Sequence, residues 1–299
     1  MKVIELFSGI GAQTQALKNI GIEHEIVGVS DIDKFAHQSY EAIHGQTKNF
    51  GDIMEIDELP EADMWTYSFP CTDISLAGKQ EGIKIGTRSG LLYEVERLLK
   101  ISHRPKYLVL ENVPNLVGEK HLPDFDRWLG RLDEFGYNTY WKILNAKDYG
   151  VPQNRKRIFA VSILKEHDDG TFEFPQPFEY STSVHDLLEP PSEVEDYYYK
   201  VCPSMIKAID EKKVKIIDNQ NYSQTITTKQ ARWNNAGMLN DENGLRYLTT
   251  KECWRLMGFD DDAFSKAESV VSRLQLYKQA GNSIVVDVLE QIFAALLKK

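Results

Sequence analysis

Val3-Ile4-Glu5-Leu6-Phe7-Ser8-Gly9-Ile10-Gly11-Ala12 decides how the rest of the sequence is read. Val3 to Phe7 has the character of a short buried strand, and Ser8 to Ala12 turns out of it into a helix. Ala12, Ala16, Leu17 and Ile20 recur at helical spacing, and Gly21 supplies a C-cap. Strand, glycine turn and helix in succession let a backbone approach a ligand closely. The dinucleotide fingerprint needs a third glycine, and Thr14 stands there instead. A nucleotide-like ligand without a pyrophosphate therefore fits better than NAD, although an ordinary tight turn leaves the same trace.

Downstream, Glu25 to Ser30 reads as a second strand ending in Ser30-Asp31-Ile32-Asp33. An acid about 20 positions past a glycine turn is where a ribose hydroxyl is held, which favours Asp31 over Asp33. Asp33 also fits a helix N-cap ahead of Phe35, Ala36 and Tyr40. Gly51-Asp52-Ile53 reads as the end of a third strand that reaches the same ligand, with a plain turn as the alternative for Asp52.

Trp65 to Phe69 is apolar and strand-like, then runs into Pro70 and the single thiol of Cys71. Proline ends the strand. Gly78, Gly82 and Gly86 mark the following stretch as a long loop, and Arg88 sits where it joins a helix with Leu91, Leu92, Val95, Leu98 and Leu99 on its apolar face. A lone cysteine is commonly a small buried hydrophobe; at the end of a strand under a glycine-rich loop it is also a candidate nucleophile. Tyr107 to Leu110 is a buried strand that ends in Glu111-Asn112-Val113-Pro114. In open parallel sheets ligands bind at that edge, so Cys71 and Glu111 share it if their strands are parallel neighbours. A buried Glu there can keep a proton and donate it, with a Glu that caps a loop as the alternative. Gln153-Asn154-Arg155-Lys156-Arg157 precedes another strand, and alternation along it sends one cation to a site and its neighbour to a phosphate backbone or to solvent.

The 299 residues carry a net charge of −10 with 42% hydrophobic residues. That length allows one large domain with a smaller insert. The charge weighs mildly against nucleic acid, but net charge does not exclude a basic cleft. Three scattered cysteines make neither a disulfide framework nor a zinc site, so no metal is expected. No export signal and no continuous apolar run of membrane-spanning length are read, and a cytoplasmic, monomeric protein is expected. After about Glu166 the rhythm breaks at Pro175, Pro177, Pro190, Pro191 and the run Tyr197-Tyr198-Tyr199. We expect a catalytic domain over 1–172, a small domain over 173–247, and a return to the first over 248–299. Asn219 to Trp233 is polar, with Gln220, Asn221, Gln224, Gln230 and Arg232; such amides and guanidinium groups can read base edges in a major groove, and an ordinary polar surface loop is the alternative for each. Thr249 and Glu252 have capping-box spacing, and Gly281-Asn282-Ser283 leads into a last amphipathic helix.

In this order the elements resemble the cytosine-C5 DNA methyltransferases of bacterial or phage type. The resemblance runs through Phe7 to Gly11, Asp31, Asp52-Ile53, Phe69-Pro70-Cys71, Glu111-Asn112-Val113, Gln153 to Arg157, Arg246 with Thr249 and Glu252, and Gly281-Asn282-Ser283. It implies an α/β, Rossmann-like methyltransferase domain with a mostly parallel sheet, and a small target-recognition domain inserted before the C-terminal helices. It implies S-adenosylmethionine as cofactor, held by Phe7, Gly9, Gly11, Ala12, Asp31, Ile32, Asp52, Ile53, Pro70, Leu91, Asn282 and Ser283. It further implies Cys71 as nucleophile on a flipped-out cytosine, Glu111 as proton donor at N3, Arg157 at O2, Arg155 as support, and Asn112 fixing the backbone near Pro70. Arg88, Thr225 and Arg232 then face duplex DNA. A cognate restriction endonuclease is an expected partner, with an orphan role left open. The pattern departs from the family at Thr72, where Gln is common, at Asp31, where Glu is usual, and at Ile32, where an aromatic is frequent. The stretch from Thr66 to Leu92 is similar to CpG-methylating enzymes of wall-less bacteria. The RNA-methylating branch of the family and a non-catalytic DNA-binding protein are the competing readings.

Overall fold

The computed structural model describes residues 1–70, 88–179, 181–200, 202–211, 216–217, 221–232 and 238–297. Cys71, the loop to residue 87 and Trp233 lie outside these residues, as do the side chains of Arg88 and Ser89. In chain order the elements are β1 (Lys2–Leu6), α1 (Ala12–Asn19), β2 (Glu25–Ser30), α2 (Lys34–His44), β3 (Met64–Tyr67), α3 (Leu92–Ile101), β4 (Tyr107–Asn112), α4 (Leu122–Glu134), β5 (Tyr137–Asn145), β6 (Gln153–Asn154) and β7 (Lys156–Leu164). They continue with α5 (Pro203–Asp210), β8 (Ser223–Gln224), β9 (Met238–Asp241), β10 (Gly244–Tyr247), α6 (Thr250–Arg255), α7 (Asp261–Glu268), α8 (Arg273–Asn282) and α9 (Val286–Leu297).

Six strands form one sheet in the order β2-β1-β3-β4-β7-β5. β2, β1, β3 and β4 are parallel, and β7 runs antiparallel to both β4 and β5. Alternation along each strand buries both faces. Val3, Met64, Val109 and Phe159 point into one cluster with α1 and the C-terminal helices; Ile4, Trp65, Leu108 and Ile158 point into another with α3 and α4. The result is the expected α/β layered sheet, mostly parallel. Helix α9 returns along α1, where Asn19 Nδ2 donates to Glu290 Oε1 at 2.6 Å. Arg273–Leu297 is long and apolar enough by composition to cross a bilayer, yet it is split into α8 and α9 and 56% of its most apolar window is buried in the molecule.

Residues 173–247 hold short pieces. β6 pairs with β8 and β9 with β10, and Met205, Ala208 and Met238 make a small cluster of their own. Val184, Tyr198, Ile226 and Leu239 instead join the larger core with α1 and the C-terminal helices. Capping follows the sequence closely. Asp33 caps α2 through the amides of Phe35 and Ala36, and Thr249 and Glu252 cap α6 reciprocally. The strand expected at Gly51-Asp52-Ile53 does not form. Only a single bridge, Val29 to Asn49, precedes it. Gly51 then turns the backbone at φ +76°, and the Asp52 carboxylate accepts from Met54 N at 3.0 Å to cap a short 3-10 turn.

Candidate active site

The parallel strands β1 to β4 all end at one edge of the sheet, and antiparallel β7 begins there. This places Phe7, Asp31, Ser68, Glu111 and Arg157 around a common cleft of about 1190 Å³. Register decides which side chains meet. Glu111 lies opposite Phe159, and Asn112 opposite Ile158. With a period of two, Arg157 and Phe159 share a face of β7 with Glu111, while Lys156 points the other way and is exposed. Arg157 Nε reaches Glu111 Oε1 at 3.0 Å, with both side chains largely buried. Burial pushes the Glu111 carboxyl up, against the pull of Arg157, then Arg155, then Ser68; the net direction is upward.

Asn112 is buried and acts on the neighbouring strand exit. Its Nδ2 donates to Phe69 O at 3.1 Å and its Oδ1 accepts from Val113 N at 2.9 Å. The chain entering Pro70 is thereby fixed to the end of β4. Arg155 lines the cleft, pulls the Glu111 carboxyl down and also braces the backbone. It is 3% exposed and donates to three carbonyls: Ile226 O at 2.8 Å, Gly281 O at 3.1 Å and Ser283 O at 2.7 Å. It ties β7 to the segment at 226 and to the turn after α8. Gly281 completes that junction, because a Cβ there would stand 2.2 Å from Thr227 C and Thr228 N.

At the other end of the cleft Phe7 takes φ +59°, the left-handed region, and Gly9 follows at +57°. Nothing lies within 4 Å of where a Cβ on Gly9 would be, so the turn is open to a ligand. Asp31 organises the rim. Its Oδ2 accepts from Gly9 N and its Oδ1 from Asp33 N, both at 2.8 Å. Burial raises the Asp31 carboxyl although these amides pull it down. Burial also raises Asp33, but Lys278 Nζ at 2.6 Å and the helix amides outweigh it and leave Asp33 below its ordinary value.

Of the residues expected at a cofactor, Phe7, Gly9, Ala12, Asp31, Ile32, Asp52, Ile53, Pro70, Leu91, Asn282 and Ser283 line the cleft. Gly11 does not. Tyr40 and His44 fill the space beside its α-carbon, so its lack of a side chain serves packing. Among residues expected at DNA, Arg232 lines the cleft, whereas the Thr225 hydroxyl donates to Asn154 O at 2.7 Å. Sequence reasoning missed Ser68, Met54, Tyr93, Lys229, Leu274 and Lys278, all on the cleft wall. Met54 and Leu274 are 62% and 65% exposed, and exposure leaves no trace in sequence. Among the described residues no His, Cys, Asp or Glu cluster has the make-up of a metal site.

A parallel sheet edge carrying an acid–guanidinium pair beside an open glycine turn suits an enzyme that uses a nucleotide-like cosubstrate. The sequence profile of the C-5 cytosine-specific DNA methylases matches residues 1–298, and the chain belongs to that family. Its reaction is S-adenosylmethionine-dependent methyl transfer to C5 of cytosine in DNA. Type II methyltransferase M2.ScrFI of Lactococcus lactis subsp. cremoris is 38% identical over 100% of this chain and 99% of its own length. Type II methyltransferase M.HhaI of Haemophilus parahaemolyticus is 32% identical over 98% and 93%. The crystal structure of S. pombe Dnmt2 methyltransferase superposes with a TM-score of 0.80 at 25% identity, covering 100% of this chain and 98% of that one.

Proposed function

We propose that the cleft binds S-adenosylmethionine along Phe7, Gly9, Asp31, Ile32, Ile53 and Ser283, and takes the flipped cytosine at Glu111 and Arg157. The carrying observation is the 3.0 Å Glu111–Arg157 pair at the edge where the backbone enters Pro70-Cys71. The residues suit the cofactor. Ile32 is 76% exposed and with Met54 offers an apolar surface for a purine. The Asp31 carboxylate on the rim suits ribose hydroxyls, and the open face of Gly9 leaves room for the amino-acid end. Bound there, S-adenosylmethionine supplies an electrophilic methyl group on a sulfonium.

Cytosine C5 is a poor nucleophile until the ring is activated. The Cys71 thiolate adds to C6, the new S–C bond taking up the 5,6 double bond. Glu111, whose carboxyl burial favours in the protonated form, donates to N3 as negative charge develops. Arg157 holds O2 and orients Glu111. C5 then takes the methyl group, the donor leaving as a neutral thioether; the C5 proton leaves to a base, most simply water, the 5,6 double bond re-forms as Cys71 departs as thiolate, and N3 returns its proton to Glu111. Asn112 and Arg155 are positioning residues: one fixes the strand exit before Pro70, the other the turn at Asn282-Ser283. A stacked base cannot enter such a site, so the target is extruded from the duplex. Residues 173–247 act as the recognition domain, with Arg88, Arg232 and Thr225 near the DNA. The type II names of the relatives support a partner endonuclease, and the protein acts as a cytoplasmic monomer.

Cys71→Ser tests the assignment. Methyl transfer to duplex DNA should vanish while binding of DNA and cofactor persists. Wild type should form a covalent adduct with 5-fluorocytosine DNA when the cofactor is present. A folded Cys71→Ser protein that still methylates DNA would sink this mechanism, and labelling of tRNA in place of duplex DNA would move the substrate to the RNA branch.

A further inference from the structure

Helix α1 starts at Gly11, which sits at φ +78° and has no side chain with which to cap it. The first amides of a helix need partners from elsewhere. Below the turn, Glu5 of β1 is fully buried and its Oε1 accepts from Thr14 Oγ1 at 2.6 Å. That hydroxyl also lies 2.8 Å from the Tyr40 hydroxyl of α2. Glu5 Oε2 is buried with no hydrogen-bond partner. The ring of Tyr40 and the imidazole of His44 press against Gly11, and His44 Nε2 is 3.0 Å from Ile10 O. The upper side of the same turn, Phe7 to Ile10, is the floor of the cleft.

We propose that Glu5 is a positioning residue for the cofactor: from β1 it caps the start of α1 through Thr14 and steadies Tyr40 beneath the glycine turn, and its ionised form does this better than its neutral form, so that cofactor affinity is linked to a proton on Glu5. This rests on the reading of the cleft given above. A carboxylate is a stronger acceptor than a neutral acid and is favoured at a helix N-terminus. Burial pushes Glu5 up to about 7, against the downward pull of Thr14, Tyr40 and Lys18. The groups facing it do not share that range. Burial pushes Tyr40 up and takes His44 down to about 3. Lys18, lowered by burial and by Lys266, is the facing cation.

The test is the affinity of S-adenosylmethionine and S-adenosylhomocysteine, by calorimetry from pH 6 to 8.5, for wild type, Glu5→Gln and Tyr40→Phe. Titration of the ligands' own amines affects all three proteins alike. In wild type both ligands should tighten by about three- to tenfold across the range beyond that common part, as a shift of up to one unit in the Glu5 pKa on binding requires. Glu5→Gln should lose that excess slope. Tyr40→Phe removes one group that holds the Glu5 carboxyl down and should move the midpoint to higher pH. A slope in Glu5→Gln equal to wild type overturns the inference while leaving the cofactor reading intact. Should Glu5→Gln not fold, an unmoved midpoint in Tyr40→Phe overturns it. Wild type that binds neither ligand at any pH overturns the cofactor reading itself, and this inference with it.

Discussion

Arg157→Ala removes the cation that faces Glu111 and leaves that carboxyl with burial and the more distant Arg155. At 3.0 Å two opposite charges attract by about 5 kcal/mol at an effective dielectric of ~20. Desolvation of both groups offsets part of this, and breaking such a pair from one side costs about 3–5 kcal/mol. Glu111 can relieve the cost by taking a proton. A carboxyl whose folded pKa lies above its unfolded one loses stability as pH rises between the two values, and the penalty is complete above the folded value. Removing Arg157 moves the folded value higher still. The variant should therefore be destabilised more at pH 8 than at pH 6. Urea unfolding of wild type, Arg157→Ala, Glu111→Gln and the double variant at both pH values gives the coupling, expected at about 3 kcal/mol at pH 8. Methyl transfer by Arg157→Ala should fall about 10²- to 10³-fold, the effect of losing one preorganised donor. Coupling below about 0.5 kcal/mol would show that Arg157 does not set the state of Glu111, and the argument that Arg157 orients and tunes that carboxyl would fail.

Gly281→Ala gains about 1 kcal/mol of helix propensity but drives a methyl into the backbone at Thr227 and Thr228, at a cost of about 1–3 kcal/mol or more. Lower Tm and weaker cofactor binding by calorimetry are expected, and a more stable variant would contradict the close approach. Arg246 is 1% exposed and pairs with Glu252, which is fully buried, at 2.8 Å and with Asp241 at 2.6 Å. Arg246→Ala should lower stability by about 3–5 kcal/mol in chemical denaturation, whereas Lys266→Ala, on an exposed pair, should stay within about 0.5 kcal/mol. For Glu5 the folded carboxyl at about 7 lies above the ordinary 4.5, so wild type loses stability relative to Glu5→Gln as pH rises from 4.5 to 7. The relative loss should level off near 3 kcal/mol, measured as the pH dependence of the Tm difference. A difference independent of pH would show that Glu5 does not titrate in that range.

Features that depend on a few neighbouring residues are legible in the sequence. The strand-turn-helix of Val3 to Ile20, the cap at Asp33 and the capping box of Thr249 and Glu252 follow from local backbone chemistry and 3.6-residue spacing. The sequence puts Cys71 and Glu111 at one edge only if their strands are parallel neighbours; β3 and β4 are, which brings Pro70 and Glu111 to that edge, while Cys71 lies outside the described residues. The third strand at Gly51 failed because a lone bridge cannot outweigh a glycine turn and an Asp cap.

Local sequence could not show that Arg157 meets Glu111. That contact needs β7 to run antiparallel beside β4 with Glu111 opposite Phe159, and a slip of one residue would turn Lys156 inward instead. Nor could it show that Arg155 spends its guanidinium on the carbonyls of Ile226, Gly281 and Ser283, up to 128 residues away. The Gln-x-Arg-x-Arg spacing names two cations on one strand face; only long-range packing makes one a partner of Glu111 and the other a strut between the turn at Gly281 to Ser283 and the segment at 226. Strand direction and register are set by the sum of core contacts across the whole sheet, and no short window of residues contains that sum.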